Sequence, residues 1–185
     1  MGHVLIVAGV LLWTVPHLFR RIAPDVRAGF GDWFKGVIAL LLVLSIVVMT
    51  WGYRAAAPVD LWYPPEWTKH VNNLLTLVAL TLFVGSNAGG RIGARMRHPQ
   101  LIGFKLWAVA HLLVNGDLAS VLLFGGLLAW SVVQLIALNR ATNWAPAEAG
   151  SVIRDVAAFV IALVLWLAIA YVHVWFGLWP FGGEG

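Results

Sequence analysis

The stretch FKGVIALLLVLSIVVMTWGY, Phe34 to Tyr53, decides the fold class. From Val37 to Val48 only Ser45 interrupts the aliphatic side chains, and Arg54 closes the run. About 20 apolar residues at roughly 1.5 Å rise per residue are what a helix needs to cross a hydrocarbon layer of about 30 Å. The rest of the chain has the same character. Its 185 residues are 61% hydrophobic, against about 45–50% in ordinary globular chains. Only 11% are charged, less than half the usual ~25%. Mean hydropathy is +0.87. A soluble domain of this length has no interior large enough for that apolar surface, so the composition excludes water as the main solvent. Nineteen glycines and eight prolines exclude collagen-like and low-complexity architectures. Zero cysteines exclude disulfides, Cys-ligated zinc, iron–sulfur clusters and a thiolate haem ligand. A net charge of +4 and a pI near 10.0 are those of a membrane protein with basic cytoplasmic loops rather than of a nucleic-acid binder.

Working outward from Phe34–Tyr53, five further apolar spans emerge. HVLIVAGVLLWTVPHLF covers His3 to Phe19 and stops at Arg20, Arg21 and Pro24. VNNLLTLVALTLFVGSNA runs from Val71 to Ala88 and ends in Gly89-Gly90. The next begins after His98-Pro99 and reaches about Val114. Asn115-Gly116-Asp117 reads as a tight turn, with Asp117 capping a fifth span that continues to Leu138. The sixth runs from Val152 to about Trp175. The expected fold is therefore all-α, a single domain over residues 1–185 made of six transmembrane helices, without internal repeats. The first span lacks a basic start and an A-x-A-like cleavage site, so it is expected to stay uncleaved.

Orientation follows from the loop lysines and arginines. Odd loops carry ten of them, namely Arg20, Arg21, Arg27, Lys35, Arg91, Arg95, Arg97, Lys105, Arg140 and Arg154; even loops carry only Arg54 and Lys69. Odd loops are expected in the cytoplasm and both termini on the opposite side. Seven of the eleven tryptophans fall near span ends, as in an interfacial aromatic belt. Trp13, Trp107, Trp130 and Trp166 fall inside spans and are suited to pack around a planar group, or simply against lipid and core.

Ionisable groups at membrane depth are costly, which makes them functional candidates. His17 follows Pro16, which is expected to kink the first helix, and shares a face with Trp13, Arg20 and Arg21. His111 has Trp107 four residues before it and Asn115 four after. His173 is expected toward the outer side, His3 and His70 near the outer surface and His98 near the inner. Imidazoles on separate helices can coordinate a haem or a metal, with nearby arginines pairing propionates; alternatively, each bonds a neighbouring helix or the headgroup layer. Depth along the helices separates His17 from His111 by roughly 10–15 Å, which favours His70 or His173 as the partner of His111. A carboxylate dyad, nucleophilic triad, phosphate loop and zinc signature are all missing, which argues against hydrolase chemistry.

The segment RHPQLIGFKLWAVAHLLVNGDLASVLLFGGLLAW, Arg97 to Trp130, resembles the signature stretch of the NnrU family. The resemblance extends upstream through Lys35-Gly36, Trp51-Gly52-Tyr53 and LWYPPEWTKH ending at His70. It implies a multi-pass protein of the bacterial inner membrane, associated with nitrite and nitric oxide metabolism in denitrification. The family includes ζ-carotene isomerases, which carry haem b on membrane histidines. By similarity, His17, His70, His98 and His111 fall on family positions. The resemblance makes His17 and His111 the metal ligands and leaves Arg20 and Arg21 near the cofactor. The function it implies is a haem b protein with a redox or sensing role. The alternatives are a haem-dependent cis–trans isomerase acting on a polyene or other apolar ligand, and a non-catalytic assembly partner of another membrane protein. Arg97-His98-Pro99 with Gly103 also resembles the RHPxYxG motif of membrane methyltransferases that bind S-adenosylmethionine, though their paired C-terminal glutamates have no match here.

Overall fold

The computed structural model describes residues 1–148 and 150–181, excluding the side chains of Arg20 and Ala28. The described residues are all-helical apart from loops and one isolated β-bridge. They form two compact units, each assembled from two separate segments: Met1–Tyr63 with Asn115–Leu138, and Pro64–Val114 with Asn139 onward.

The first unit is organised around α1 (Gly2–Ile22) and α3 (Trp33–Ala55), joined through the short α2 (Pro24–Gly29). The two long helices run antiparallel, because Gly52 abuts Ile6 while Gly9 abuts Met49. A Cβ on Gly52 would lie 2.8 Å from the backbone nitrogen of Ile6. Only glycine permits that approach, and small residues at the seam are how helices pack where lipid removes the hydrophobic drive between them. Ile6 is fully buried in the seam. Pro16 sits inside α1 without ending it.

The rest of this unit begins where Asp117 accepts the Ser120 amide at 2.9 Å, the cap expected from sequence. The residues before it form no closed turn. Asp117 is extended and bridges Asp60, while Gly116 accepts the amides of Leu61 and Trp62 at 2.7 and 3.0 Å. Pairing with the 59–62 strap satisfies backbone groups that a two-residue turn would have bonded internally. From there α7 (Leu118–Ser120), a π-helical turn (Val121–Gly125) and α8 (Gly126–Ala141) continue as one rod. The π-helical turn packs on α1.

In the second unit α4 (Thr68–Gly85) packs on α6 (Pro99–Val114) and on α9 (Val152–Trp175). A Cβ on Gly103 would lie 2.5 Å from the Ala79 carbonyl oxygen, so α6 also depends on a glycine contact. Trp166 donates its indole N–H to Thr76 at 2.9 Å, tying α9 to α4. The short α5 (Arg91–Arg95) starts on Asp155 of α9, whose carboxylate accepts the amides of Arg91 and Ile92 at 2.8 and 3.2 Å.

Each expected span is helical, with limits shifted by a few residues: the third begins at Thr68 and ends at Gly85 rather than running from Val71 to Ala88. Among the described residues four helices are long and apolar enough to cross a membrane: Gly2–Phe19, Trp33–Ala55, Leu118–Ala141 and Val152–Trp175. That character suits a lipid bilayer. The α4 helix opens on the polar run Thr68-Lys69-His70-Val71-Asn72-Asn73, which lowers its hydropathy. Helix α6 has 16 residues and reaches only about 24 Å.

Candidate ligand-binding histidines

In α1 the Nδ1 of His17 lies 2.8 Å from the Trp13 carbonyl oxygen. A carbonyl only accepts, so Nδ1 carries the proton and the lone pair of the neutral ring resides on Nε2. His111 makes the same bond to the Trp107 carbonyl at 2.9 Å, and His173 to that of Ile169 at 2.7 Å. Metal-binding histidines are commonly set this way, with one ring nitrogen donating to a carbonyl so that tautomer and ring plane are fixed.

The first two share more than a hydrogen bond. Trp13 packs on His17 with ring centroids 4.3 Å apart at 39°, and Trp107 on His111 at 5.0 Å and 53°. The pattern Trp-x-x-x-His thus occurs once in each unit with nearly the same geometry. It is a local repeat of five residues whose two copies are both visible in the sequence as Trp–His pairs at a spacing of four. Trp130 adds a second indole 4.7 Å from His17 and meets Trp13 edge-on at 5.3 Å. Three of the four interior tryptophans thus pack against histidine, while Trp166 meets Phe181.

A groove of about 270 Å³ opens beside His17, and Arg27 and Lys35 reach it along with Pro16. Neither cation is a site candidate by sequence spacing; the α1–α2–α3 turn brings them there. Of the two arginines expected near this histidine, the Arg20 side chain lies outside the described residues, and Arg21 is half-buried in the last turn of α1.

The remaining histidines have other surroundings. His70 is exposed in the first turn of α4. His98 adopts φ +60°, a left-handed conformation that costs a non-glycine residue roughly 1–2 kcal/mol. Its Nε2 donates to Asn139 Oδ1 at 3.2 Å. Arg97 Nη2 donates to the carbonyls of Thr142 and Asn139 at 2.6 and 3.2 Å. In Arg97-His98-Pro99 the basic groups therefore bind this chain's own backbone and amide oxygens.

A polar chain links Ser120 and its cap Asp117 to Tyr53, which sequence spacing does not connect to them. Tyr53 donates to Ser120 Oγ at 2.8 Å, and Ser120 donates to Asp117 Oδ2 at 2.6 Å. The direction follows because a carboxylate accepts, which leaves the Ser120 oxygen to receive the phenol proton. Among the described residues no three His, Cys, Asp or Glu side chains converge as a metal-binding group.

Neither the curated proteins nor the solved structures contain a match to this chain. The model of the NnrU protein family, in contrast, matches residues 5–180. Spanning nearly the whole length, including both Trp-x-x-x-His elements, that match shows that the chain belongs to the NnrU family.

Proposed function

We propose that this protein binds haem b in a bacterial inner membrane, through His17 and His111, and serves a redox or ligand-sensing role linked to nitrite and nitric oxide metabolism. The observation that carries the haem reading is the shared state of these two imidazoles: each Nδ1–H is held by the carbonyl four residues back, which leaves the lone pair on Nε2. The porphyrin supplies four of the six iron ligands, so two imidazoles are the protein's whole share and no three-residue cluster is required. Bound there, haem b would supply one-electron redox chemistry or an affinity for a diatomic ligand. The chain's own contribution is to hold each ring by its Nδ1 proton and, with Trp13 and Trp130, to keep water from His17. The nitrogen-oxide link comes from the family resemblance. Six crossings, with both termini outside, complete this reading.

A second ligand set has its own support. His173 shares a compact unit with His111 and has the same Nδ1–carbonyl arrangement.

The test is an oxidised-minus-reduced absorption spectrum with haem quantitation on detergent-purified protein made with ample haem. A Soret band near one haem per chain, lost in His17→Ala and in His111→Ala but kept in His98→Ala, is the expected result. Loss in His111→Ala and His173→Ala with retention in His17→Ala would replace the first pair with the second. Protein that carries no haem would overturn both.

A further inference from the structure

We propose that the groove between α1, α2 and α3 binds one anionic phospholipid, its phosphate held by Arg27 and Lys35 and its acyl chain lying along Ile38 and Leu42. This inference goes beyond the haem reading; His17 lines the same groove, and the experiment below separates the two.

The groove is graded from charge to hydrocarbon. Lys35 stands in the first turn of α3, and Ile38 and Leu42 line the same groove one and two turns further along. At about 1.5 Å per residue, Leu42 lies roughly 10 Å deeper along the helix axis than Lys35. Arg27 reaches the same space from α2, so two cations from different elements meet above an aliphatic floor. That is the polarity profile of a phospholipid, with its head at the interface and its tail below.

Among the described residues Lys35 has a carboxylate partner and Arg27 has none. The Arg27 guanidinium donates to the Phe30 carbonyl at 3.3 Å and lies 5.4 Å from the centre of the Phe34 ring, contacts that orient it without cancelling its charge. Lys35 pairs with Asp32 at 2.7 Å, but both groups are largely exposed, and such pairs are weak enough for a phosphate to compete. The loop from Arg20 to Lys35 carries four basic and two acidic side chains, so its charge complements an anion.

The size fits as well. At about 270 Å³ the groove lies just below the roughly 300–1,000 Å³ of pockets for whole small molecules. A headgroup and the first part of one acyl chain suit that space, while the rest of the lipid stays in the bilayer. Phe19, Phe30 and Phe34 form a cluster beside it, with Phe30 and Phe34 stacked at 4.3 Å, giving α1, α2 and α3 a common wall.

The experiment uses delipidated full-length protein in neutral detergent, with tryptophan fluorescence and thermal unfolding as readouts. Dioleoylphosphatidylglycerol is expected to bind saturably and raise the unfolding temperature; dioleoylphosphatidylcholine and inorganic phosphate at equal phosphorus are not. Arg27→Gln with Lys35→Gln should weaken that binding about thirty-fold, the summed effect of two basic side chains at a charged lipid surface. Arg27→Lys with Lys35→Arg keeps the charge and should bind as the parent does, which guards against a folding defect. Arg91→Gln with Arg95→Gln removes equal charge elsewhere and should leave binding unchanged. The proposal is overturned by equal responses to the two lipids, by inorganic phosphate matching phosphatidylglycerol, or by undiminished lipid binding in the double glutamine variant. Loss of haem from that variant with lipid binding intact would also overturn it, and would assign the two cations to propionates.

Discussion

The Ser120 hydroxyl receives one hydrogen bond and gives another, joining the end of α3 to the start of α7 through Tyr53 and Asp117. Ser120 is fully buried, whereas Tyr53 and Asp117 are half-buried on either side of it. Ser120→Ala is expected to cost about 1–2 kcal/mol, because it leaves a half-buried phenol without its acceptor and a carboxylate without one donor. Tyr53→Phe removes a single bond and should cost about 1 kcal/mol. Denaturant unfolding in detergent compares them, and equal losses would mean that the chain does not act as a unit. Arg97 permits a sharper contrast. One Nη2 serves the carbonyls of Asn139 and Thr142, at the tip of a side chain one atom longer than that of lysine. Arg97→Lys should therefore lose about 1 kcal/mol at unchanged charge; if the side chain only met lipid headgroups, the variant would match the parent. The Asp117 cap was legible in the sequence because it acts three residues away. The Tyr53 partner was not, because it stands 67 residues from Ser120.

At the scale of the element, the α1–α3 seam shows how much depends on one missing methyl group. A Cβ on Gly52 would meet Ile6 N at 2.8 Å and Leu5 Cβ at 2.9 Å, whereas one on Gly36, in the same helix, meets nothing within 4 Å. Gly52→Ala is thus expected to destabilise by about 1–3 kcal/mol through overpacking. Gly36→Ala should be neutral, or stabilising by up to about 1 kcal/mol, through helix propensity. Thermal unfolding of the two variants side by side checks this, and similar effects would place Gly52 outside the seam. Periodicity alone could not tell the two glycines apart, because each sits in an apolar run with no polar face to mark the outside. The π-helical turn Val121–Gly125 ends at the pair Gly125-Gly126 and packs on α1, and a glycine pair does not by itself tell a π-turn from an ordinary kink.

For the whole molecule, six crossings require α4 and α6 to traverse the bilayer along with the four longer helices, and the chain is well suited to that test. With zero native cysteines, each introduced cysteine is a unique label. Gly29→Cys and Ala57→Cys flank α3, and Asn87→Cys follows α4. Under six crossings Asn87→Cys labels from the same side as Gly29→Cys, and that side is the cytoplasm. Labelling from the Ala57→Cys side would mean four crossings, with α4 and α6 failing to traverse.

Hydropathy, helix content and the Asp117 cap followed from the sequence by itself, because each is a sum or a bond over neighbouring residues. So did the candidacy of His17 and His111, since an ionisable group in an apolar run is conspicuous wherever the run lies. Family membership was also legible there, carried by the Arg97–Trp130 segment, and the NnrU model match over residues 5–180 bears it out. Tertiary structure decided which polar groups meet: Arg27 and Lys35 beside His17, Tyr53 on Ser120, Arg97 on the Thr142 carbonyl. The reason lies in the solvent. In water an amphipathic stripe announces which face of a helix turns inward, but lipid is as apolar as a protein core, so both faces read alike until the helices have packed.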